Sequence, residues 1–195
     1  MLAWHNRQMQ NSNIPQPAPQ LDVAEWLNSN KHIELADLRG KVVLIEAFQM
    51  LCPGCVSGGL PMAQKARQIF KPADLAVLGL HTVFEHHAAQ GTKEALSAFL
   101  HEYRINFPVG IDRHNGNEPL PNTMRAYQMR GTPTTILIDR QGRLRWQHFG
   151  QVEDMVIGAQ IMGLLAEAQV PAAAMASDGS KPVTGEYDDG ACPVG

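Results

Sequence analysis

The stretch Lys41-Val-Val-Leu-Ile-Glu-Ala-Phe-Gln-Met-Leu-Cys-Pro-Gly-Cys55 decides the fold of this chain. Its first half is an apolar run with β-branched residues, which is typical of a buried strand. The run ends at two cysteines separated by Pro53 and Gly54, and residues 60–70 then have a helical composition. A strand that brings a Cys-x-x-Cys pair to the start of a helix is the arrangement of a dithiol redox site.

The composition limits the class of protein and its partners. The chain has 195 residues, enough for one domain with a sizeable core, and its 44% hydrophobic content is ordinary for a globular protein. A formal charge of −3 and the lack of a basic cluster predict no nucleic-acid partner. No apolar run reaches the roughly 18 residues of a membrane helix, so we expect no membrane partner.

The cysteine count and the first residues predict a cytoplasmic protein. Only three cysteines occur, which is too few for a secreted fold held together by disulfides. The first nine residues lack the basic start and apolar core of a signal peptide.

The chain divides into three predicted regions. Residues 1–30 are expected to form an extended arm with a short helix over Val23–Leu27, because Asp22 can cap that helix. Residues 31–170 are expected to form the domain, with a short edge strand over His32–Leu35. Residues 171–195 have no hydrophobic periodicity and are predicted to be a flexible tail.

Within the domain, strand and helix patterns alternate. Strands are predicted at 42–48, 75–80, 107–111, 134–139 and 144–149, and helices at 60–70, 93–103, 124–128 and 152–168. The strand–helix–strand order followed by a hairpin and a helix predicts an α/β fold with a mixed sheet.

Cys52 and Cys55 suit nucleophilic and resolving roles. Backbone N–H groups at a helix start stabilise a thiolate, so we expect the pKa of Cys52 to fall below the free-thiol value of about 8.5. Cys55, one turn further on, is expected to be shielded and able to attack a mixed disulfide formed by Cys52. Pro53 suits the first helical position. We therefore predict redox chemistry that requires no cofactor.

A zinc half-site is the alternative interpretation of the same spacing. A tetrahedral structural site needs two further ligands, and no second Cys-x-x-Cys or His-x-x-x-His pair occurs. The third cysteine, Cys192, lies in the predicted tail, where an exposed thiol is a simpler interpretation than a third redox residue. We therefore predict no metal at the cysteine pair.

Three segments together resemble the thioredoxin-like superfamily, and most closely its TlpA/ResA-type branch. They are Leu51–Cys55 after a strand, Gly131-Thr-Pro133 directly before a strand, and the hairpin sequence Ile138–Leu144. The resemblance covers residues 32–168, and the extra strand and helix within 75–111 match the insertion of TlpA-type proteins. It implies a three-layer thioredoxin-like fold whose mixed central sheet is flanked by helices. It also implies a thiol–disulfide oxidoreductase that acts on protein or small-molecule disulfides and is recycled by an upstream thiol reductant.

The resemblance also assigns a substrate-binding loop. It implies that Pro133 follows a cis peptide bond and faces the dithiol. The backbone of Thr132 would then pair with an extended substrate. Pro53 and Gly54, which separate the two cysteines, are expected to contact the same substrate.

Glu46 is the candidate proton carrier. It lies six residues before Cys52, where thioredoxins place a buried acid beneath the dithiol. Burial would raise its pKa and allow it to exchange a proton with Cys55. Strand alternation by itself leaves an outward, solvated position equally open.

Two departures from the family pattern lie beside the cysteines. Leu51 replaces the tryptophan that commonly precedes the first cysteine. The proline after the second cysteine is Pro61, one residue later than usual, with Gly58-Gly59 before it. We expect the helix to absorb the extra residue as a wide turn or bulge.

Two other functions remain open at this point. A peroxiredoxin-like peroxidase shares the fold, but the usual Thr-x-x-Cys nucleophile motif is missing before Cys55. A copper- or zinc-binding or redox-sensing module could combine the dithiol with His81, His86 and His87. We favour solvated loop histidines over metal ligands at these three positions.

Overall fold

The computed structural model describes residues 15–116 and 118–167. Its strands are β1 Val23–Leu27, β2 Val42–Phe48, β3 Leu75–His81, β4 Val109–Asp112, β5 Thr134–Ile138 and β6 Leu144–Phe149. Its α-helices are α1 Leu60–Ile69, α2 His87–Gln90, α3 Lys93–Glu102, α4 Asn122–Ala126 and α5 Asp154–Ala166. A 3₁₀ turn covers Leu35–Leu38, and a π-helical turn over Cys55–Gly59 leads directly into α1.

The six strands of the described residues form one mixed sheet in the order β1-β4-β3-β2-β5-β6. The central strand β2 is parallel to β3 and antiparallel to β5, and every residue of β2 is buried. Strand β4 continues the parallel part, whereas β1 and β6 are antiparallel edge strands. The parallel strands β2, β3 and β4 end at the same side of the sheet, and the segment after β2 leads to the cysteines there.

Helices cover both faces of the sheet, which confirms the predicted three-layer arrangement. Side chains alternate along β2, so Leu44 and Phe48 pack with α1, α3 and α5 in one core. Val43 and Ile45 face the opposite core, which contains residues of β1 and of α4. Glu46 has the same parity as Leu44 and therefore lies on the face covered by α1 and α5.

The predicted helix over Val23–Leu27 is wrong, because this segment is the edge strand β1. It pairs with β4, and the methyl groups of Val23 lie where a side chain at Gly110 would be. Asp22 accepts hydrogen bonds from Arg113 and Asn122 instead of capping a helix. Pairing with β4 and burial of Val23, Trp26 and Leu27 outweigh the local capping signal.

The domain also includes residues that were assigned to the arm. Pro17 forms an isolated bridge with Arg143, and the N–H of Ala18 donates to the carbonyl of Gly142 over 2.9 Å. The hydroxyl of Tyr127 donates to the carbonyl of Pro19 over 2.7 Å. The folded unit therefore begins well before residue 31.

The predicted edge strand at His32–Leu35 is also wrong. This segment leads into the 3₁₀ turn, and Ile33 and Leu35 pack against the core but pair with no strand among the described residues. The predicted tail over 171–195 and Cys192 lie outside the described residues. Within the described ranges, no helix is long and apolar enough to span a membrane.

Candidate active site at the cysteine pair

Cys52 and Cys55 lie just beyond the end of β2 and are joined by a disulfide, with their Cα atoms 5.3 Å apart. Cys52 is partly exposed, whereas Cys55 is completely buried. The backbone N–H of Cys55 donates to Sγ of Cys52 over 3.2 Å. A donor directed at this sulfur favours its thiolate form, so the geometry suits Cys52 as nucleophile and Cys55 as resolving thiol.

The π-helical turn is the wide turn that the displaced Pro61 predicts. Its closing bond joins the N–H of Leu60 to the carbonyl of Cys55, five residues earlier. Pro61 then lies in the first turn of α1, and as a proline it has no N–H to donate to the π-helical turn before it. The extra residue is absorbed at the turn, and the turn brings Gly59 against Glu46.

Glu46 points into the molecule beneath this turn. It has no exposed surface, and the hydroxyl of Thr135 donates to its Oε2 over 2.7 Å. Its Oε1 has no hydrogen-bond partner within the described residues and faces Gly59, where a methyl group would overlap it. Burial raises the pKa of Glu46 to about 8, and the Thr135 hydrogen bond offsets only part of that rise.

The cis-proline loop completes the site. The Thr132–Pro133 peptide bond is cis, as the resemblance implies. The carbonyl oxygen of Thr132 lies 3.5 Å from Sγ of Cys52. The ring of Pro133 packs against Gly54, since a Cβ at Gly54 would lie 3.3 Å from its Cδ.

The structure therefore brings the predicted site residues together. Pro53 is exposed, Gly54 and Thr132 are partly exposed, and Pro133 is buried behind them. These residues lie around the accessible face of Cys52.

Three glutamines at the site were not predicted. Nε2 of Gln151 donates to the carbonyl of Gly54 over 3.2 Å and to the hydroxyl of Ser57 over 3.1 Å. Gln49 and Gln90 are buried beside the segment that precedes Cys52. The only sequence signal was the polar Gln49 directly after the apolar strand; Gln90 and Gln151 belong to segments that are remote in sequence.

His81 is not a solvated loop residue, and that prediction is wrong for it. It is the last residue of β3, it is buried, and its ring centroid lies 5.3 Å from that of Phe48. Burial lowers the pKa of His81 to about 4. His86 and His87 are exposed. In the described part of the chain, no group of three or more His, Cys, Asp or Glu residues could hold a metal ion.

Comparison with known sequences agrees with this geometry. Residues 14–147 match the AhpC/TSA family, more than half of the chain. The protein DipZ of Mycobacterium bovis is 32% identical over 78% of this chain, which spans only 21% of DipZ. The thiol-disulfide oxidoreductase ResA of Halalkalibacterium halodurans is 26% identical, covering 64% of this chain and 63% of ResA.

Solved structures show the same fold. A thioredoxin-like superfamily protein is 59% identical with a TM-score of 0.76, covering 78% of this chain and 98% of its own. A thiol-disulfide isomerase from Corynebacterium glutamicum is 48% identical with a TM-score of 0.74, and the match covers 77% of this chain and 98% of the isomerase chain. The chain belongs to the AhpC/TSA family, in its thioredoxin-like, ResA-type branch.

Proposed function

We propose that this chain is a thiol–disulfide oxidoreductase that reduces protein or small-molecule disulfides. The observation that supports it best is the asymmetry of the cysteine pair. Cys52 is accessible and receives a backbone N–H at its sulfur, whereas Cys55 is completely buried one turn behind it. The names of ResA and of the Corynebacterium isomerase agree with this activity.

The reaction has two exchange steps. The Cys52 thiolate attacks one sulfur of the substrate disulfide, forms a mixed disulfide and releases the other substrate sulfur as a thiolate. Cys55 then loses its proton and attacks Sγ of Cys52. The Cys52–Cys55 disulfide forms, and the second substrate thiolate leaves. An upstream thiol reductant returns the pair to the dithiol, so the electrons that reduce the substrate come from that reductant.

Glu46 is the proposed acceptor for the Cys55 proton. Its pKa of about 8 lies near that of a thiol, so the carboxyl can both take up and release a proton near neutral pH. Its Oε1, which has no hydrogen-bond partner in the described part of the chain, faces the turn that begins at Cys55. In Glu46→Gln we expect the mixed disulfide to be resolved roughly 100-fold more slowly, in line with the usual contribution of general acid–base catalysis.

Thr132 is the proposed docking point for the substrate backbone. Its carbonyl oxygen lies beside Sγ of Cys52, and its side chain is partly exposed. An extended peptide paired here would present its disulfide to Cys52 and would contact Pro53 and Gly54.

Insulin reduction tests the proposed activity. Wild type is expected to turn over, and Cys52→Ser is expected to be inactive. Cys55→Ser is expected to accumulate a mixed disulfide on Cys52, because the resolving thiol is missing. Equal turnover by wild type and Cys52→Ser would refute the proposal.

A peroxidase is less consistent with the geometry. Cys55 would be the nucleophile in the peroxidase alternative, and it has no exposed surface from which to reach peroxide. Rapid consumption of hydrogen peroxide that needs Cys55 but not Cys52 would reverse this ranking.

The reductive direction and a cytoplasmic, antioxidant role are the second part of the proposal. They are supported by the low cysteine count and by the reducing state of the cytosol. Equilibration with glutathione buffers should give a potential below about −230 mV, as for cytosolic reductants. A more oxidising value would reverse the direction, and recovery of the protein outside the cytoplasm in cell fractionation would contradict the location.

A further inference from the structure

Two buried glutamines connect the segment before Cys52 to the segment that contains α2. Gln49 and Gln90 are each 1% exposed, and they lie 41 positions apart in sequence. Nε2 of Gln90 donates to Oε1 of Gln49 over 3.1 Å. A buried amide is costly unless its polar atoms are paired, and this pair is extensively bonded.

The backbone fixes the orientation of both amides. The N–H of Leu51 donates to Gln90 over 3.1 Å, and the N–H of Phe84 donates to Gln49 over 3.2 Å. Because a backbone N–H donates, the side-chain atom that it contacts in each glutamine must be the amide oxygen. Nε2 of Gln90 is left to donate to Gln49 and to the carbonyl of Glu85, the latter over 2.9 Å. No alternative flip satisfies the same set of contacts.

The hydrogen bond to Leu51 acts directly beside the nucleophile. Leu51 precedes Cys52, and its own side chain is 57% exposed, so side-chain packing does little to hold this residue. Cys52 itself is held by other backbone bonds: its N–H donates to the carbonyl of Gln49 over 3.2 Å, and its carbonyl accepts from the N–H groups of Cys55 and Val56 at 3.1 Å each. These bonds leave the N–H of Leu51 to Gln90, so the approach of the chain to Cys52, and with it the placement of Sγ against Thr132, depends in part on Gln90.

We propose that Gln90 is a positioning residue of the dithiol, which holds the Leu51 backbone so that Cys52 faces an incoming disulfide. The inference rests on the proposed oxidoreductase function. Gln90 acts through the backbone, with Gln49 orienting its amide, and does not itself touch the reacting sulfurs. Small displacements of a reacting group lower rates strongly, so loss of this contact should affect the reaction of Cys52.

Hydrogen exchange of the wild-type protein gives the first test. If Gln90 holds Leu51, the Leu51 amide should exchange at least about 10-fold more slowly than in an unstructured peptide. This measurement needs no variant and remains informative if substitutions at residue 90 prevent folding. Exchange of the Leu51 amide at the unprotected rate would overturn the proposal.

Gln90→Met gives the second test, since it keeps the length of the side chain and removes the amide. We expect Leu51 exchange to accelerate at least about 10-fold and the reaction of the reduced protein with 2-hydroxyethyl disulfide to slow at least about 10-fold. The pH midpoint for alkylation of Cys52 by iodoacetamide should rise, because the Cys55 N–H is no longer held against the sulfur.

Gln64→Leu is the matched control. Gln64 also joins two segments through its amide, donating to the carbonyls of Tyr103 at 3.2 Å and Arg104 at 3.1 Å, away from the dithiol. The Gln64→Leu variant should match wild type in the exchange of the Leu51 amide, in the rate of the disulfide reaction and in the pH profile of Cys52 alkylation. An equal loss of rate in Gln64→Leu, or a normal rate and pH profile in Gln90→Met despite fast Leu51 exchange, would refute a positioning role.

The two proposals can fail separately. A wild-type protein that reduces no disulfide would refute the oxidoreductase function. The exchange of Leu51 and the alkylation profile of Cys52 would still report whether Gln90 holds the nucleophile segment.

Discussion

Glu46 makes the stability of the protein depend on pH. Its pKa is about 8 in the folded chain, because the carboxyl is fully buried, and 4.5 for an unperturbed glutamate. Below pH 4.5 the carboxyl is protonated in both the folded and the unfolded chain, so its burial causes no pH-dependent loss of stability. Between pH 4.5 and 8 the unfolded chain releases a proton that the folded chain keeps, so the free energy of unfolding falls as pH rises. Above pH 8 the carboxyl is ionised in both states, and the free energy of unfolding falls no further on account of Glu46.

Glu46→Gln should remove this dependence. Relative to wild type, the variant's free energy of unfolding is expected to rise by about 1.4 kcal/mol per pH unit between pH 5 and pH 8. Urea denaturation of the oxidised proteins at several pH values measures the difference. Glu102→Gln is the control for the loss of one carboxylate, since the side chain of Glu102 is 77% exposed. Parallel curves for wild type and Glu46→Gln would show that Glu46 ionises normally.

At the residue scale, the sequence allowed part of the site to be predicted. The cysteine spacing and the family resemblance were sufficient for Cys52, Cys55 and Pro133, and for an inward Glu46. They could not reveal Gln90, because its partner Leu51 is 39 positions away and an isolated glutamine has no distinguishing pattern. His81 was misjudged because the histidines after it are exposed, whereas β3 extends one residue further and buries His81.

At the scale of a single element, the packing of the π-helical turn explains the glycine at position 59. A wider turn was predictable from the position of Pro61, but the reason for Gly59 appears only in three dimensions. Oε1 of Glu46 occupies the space where a Cβ at Gly59 would be, and Pro133 lies 3.2 Å from that space. The turn, the acid and the cis-proline loop therefore depend on the absence of one side chain.

Gly59→Ala should disrupt this packing. The added methyl group must displace either Glu46 or the turn, at a cost of roughly 1–3 kcal/mol, as is usual for overpacked cores. Disulfide reduction should slow as well, because Glu46 and Cys55 lose their relative placement. Thermal unfolding and insulin reduction measure the two effects.

The control is Gly163→Ala in α5. A Cβ at Gly163 meets nothing within 4 Å, so alanine should leave activity unchanged and stabilise the helix by up to about 1 kcal/mol. A Gly59→Ala protein with wild-type stability and activity would contradict the packing argument.

At the scale of the whole molecule, the extent of the domain was the main error of the sequence prediction. The asparagine-, glutamine- and proline-rich start favoured an arm, because such composition lacks periodicity. The buried positions of β1 are recognisable only once β4 is known to lie beside it, since Val23 and Trp26 pack against Gly110. The strand order places β1 at the sheet edge next to β4, over 80 residues away in sequence.

Truncation tests where the folded unit begins. A chain that starts at Asn28 loses β1 and exposes the edge of β4, together with the core positions filled by Val23, Trp26 and Leu27. Burying each such side chain contributes roughly 1.5–3 kcal/mol, so the sum is comparable to the 5–15 kcal/mol that stabilises a typical domain. We expect this chain to lose cooperative unfolding and to associate through the open edge, as size-exclusion chromatography and urea denaturation would show.

A chain that starts at Pro15 is the matched comparison. It keeps the bridge between Pro17 and Arg143, the hydrogen bond from Ala18 to Gly142 and all of β1. It should therefore unfold cooperatively and reduce insulin at the rate of the full chain. If the two truncated chains instead unfolded at the same urea concentration, β1 would contribute nothing to stability. The residues before 31 would then behave as the arm that their composition suggests, and the six-stranded sheet would not be the cooperative unit.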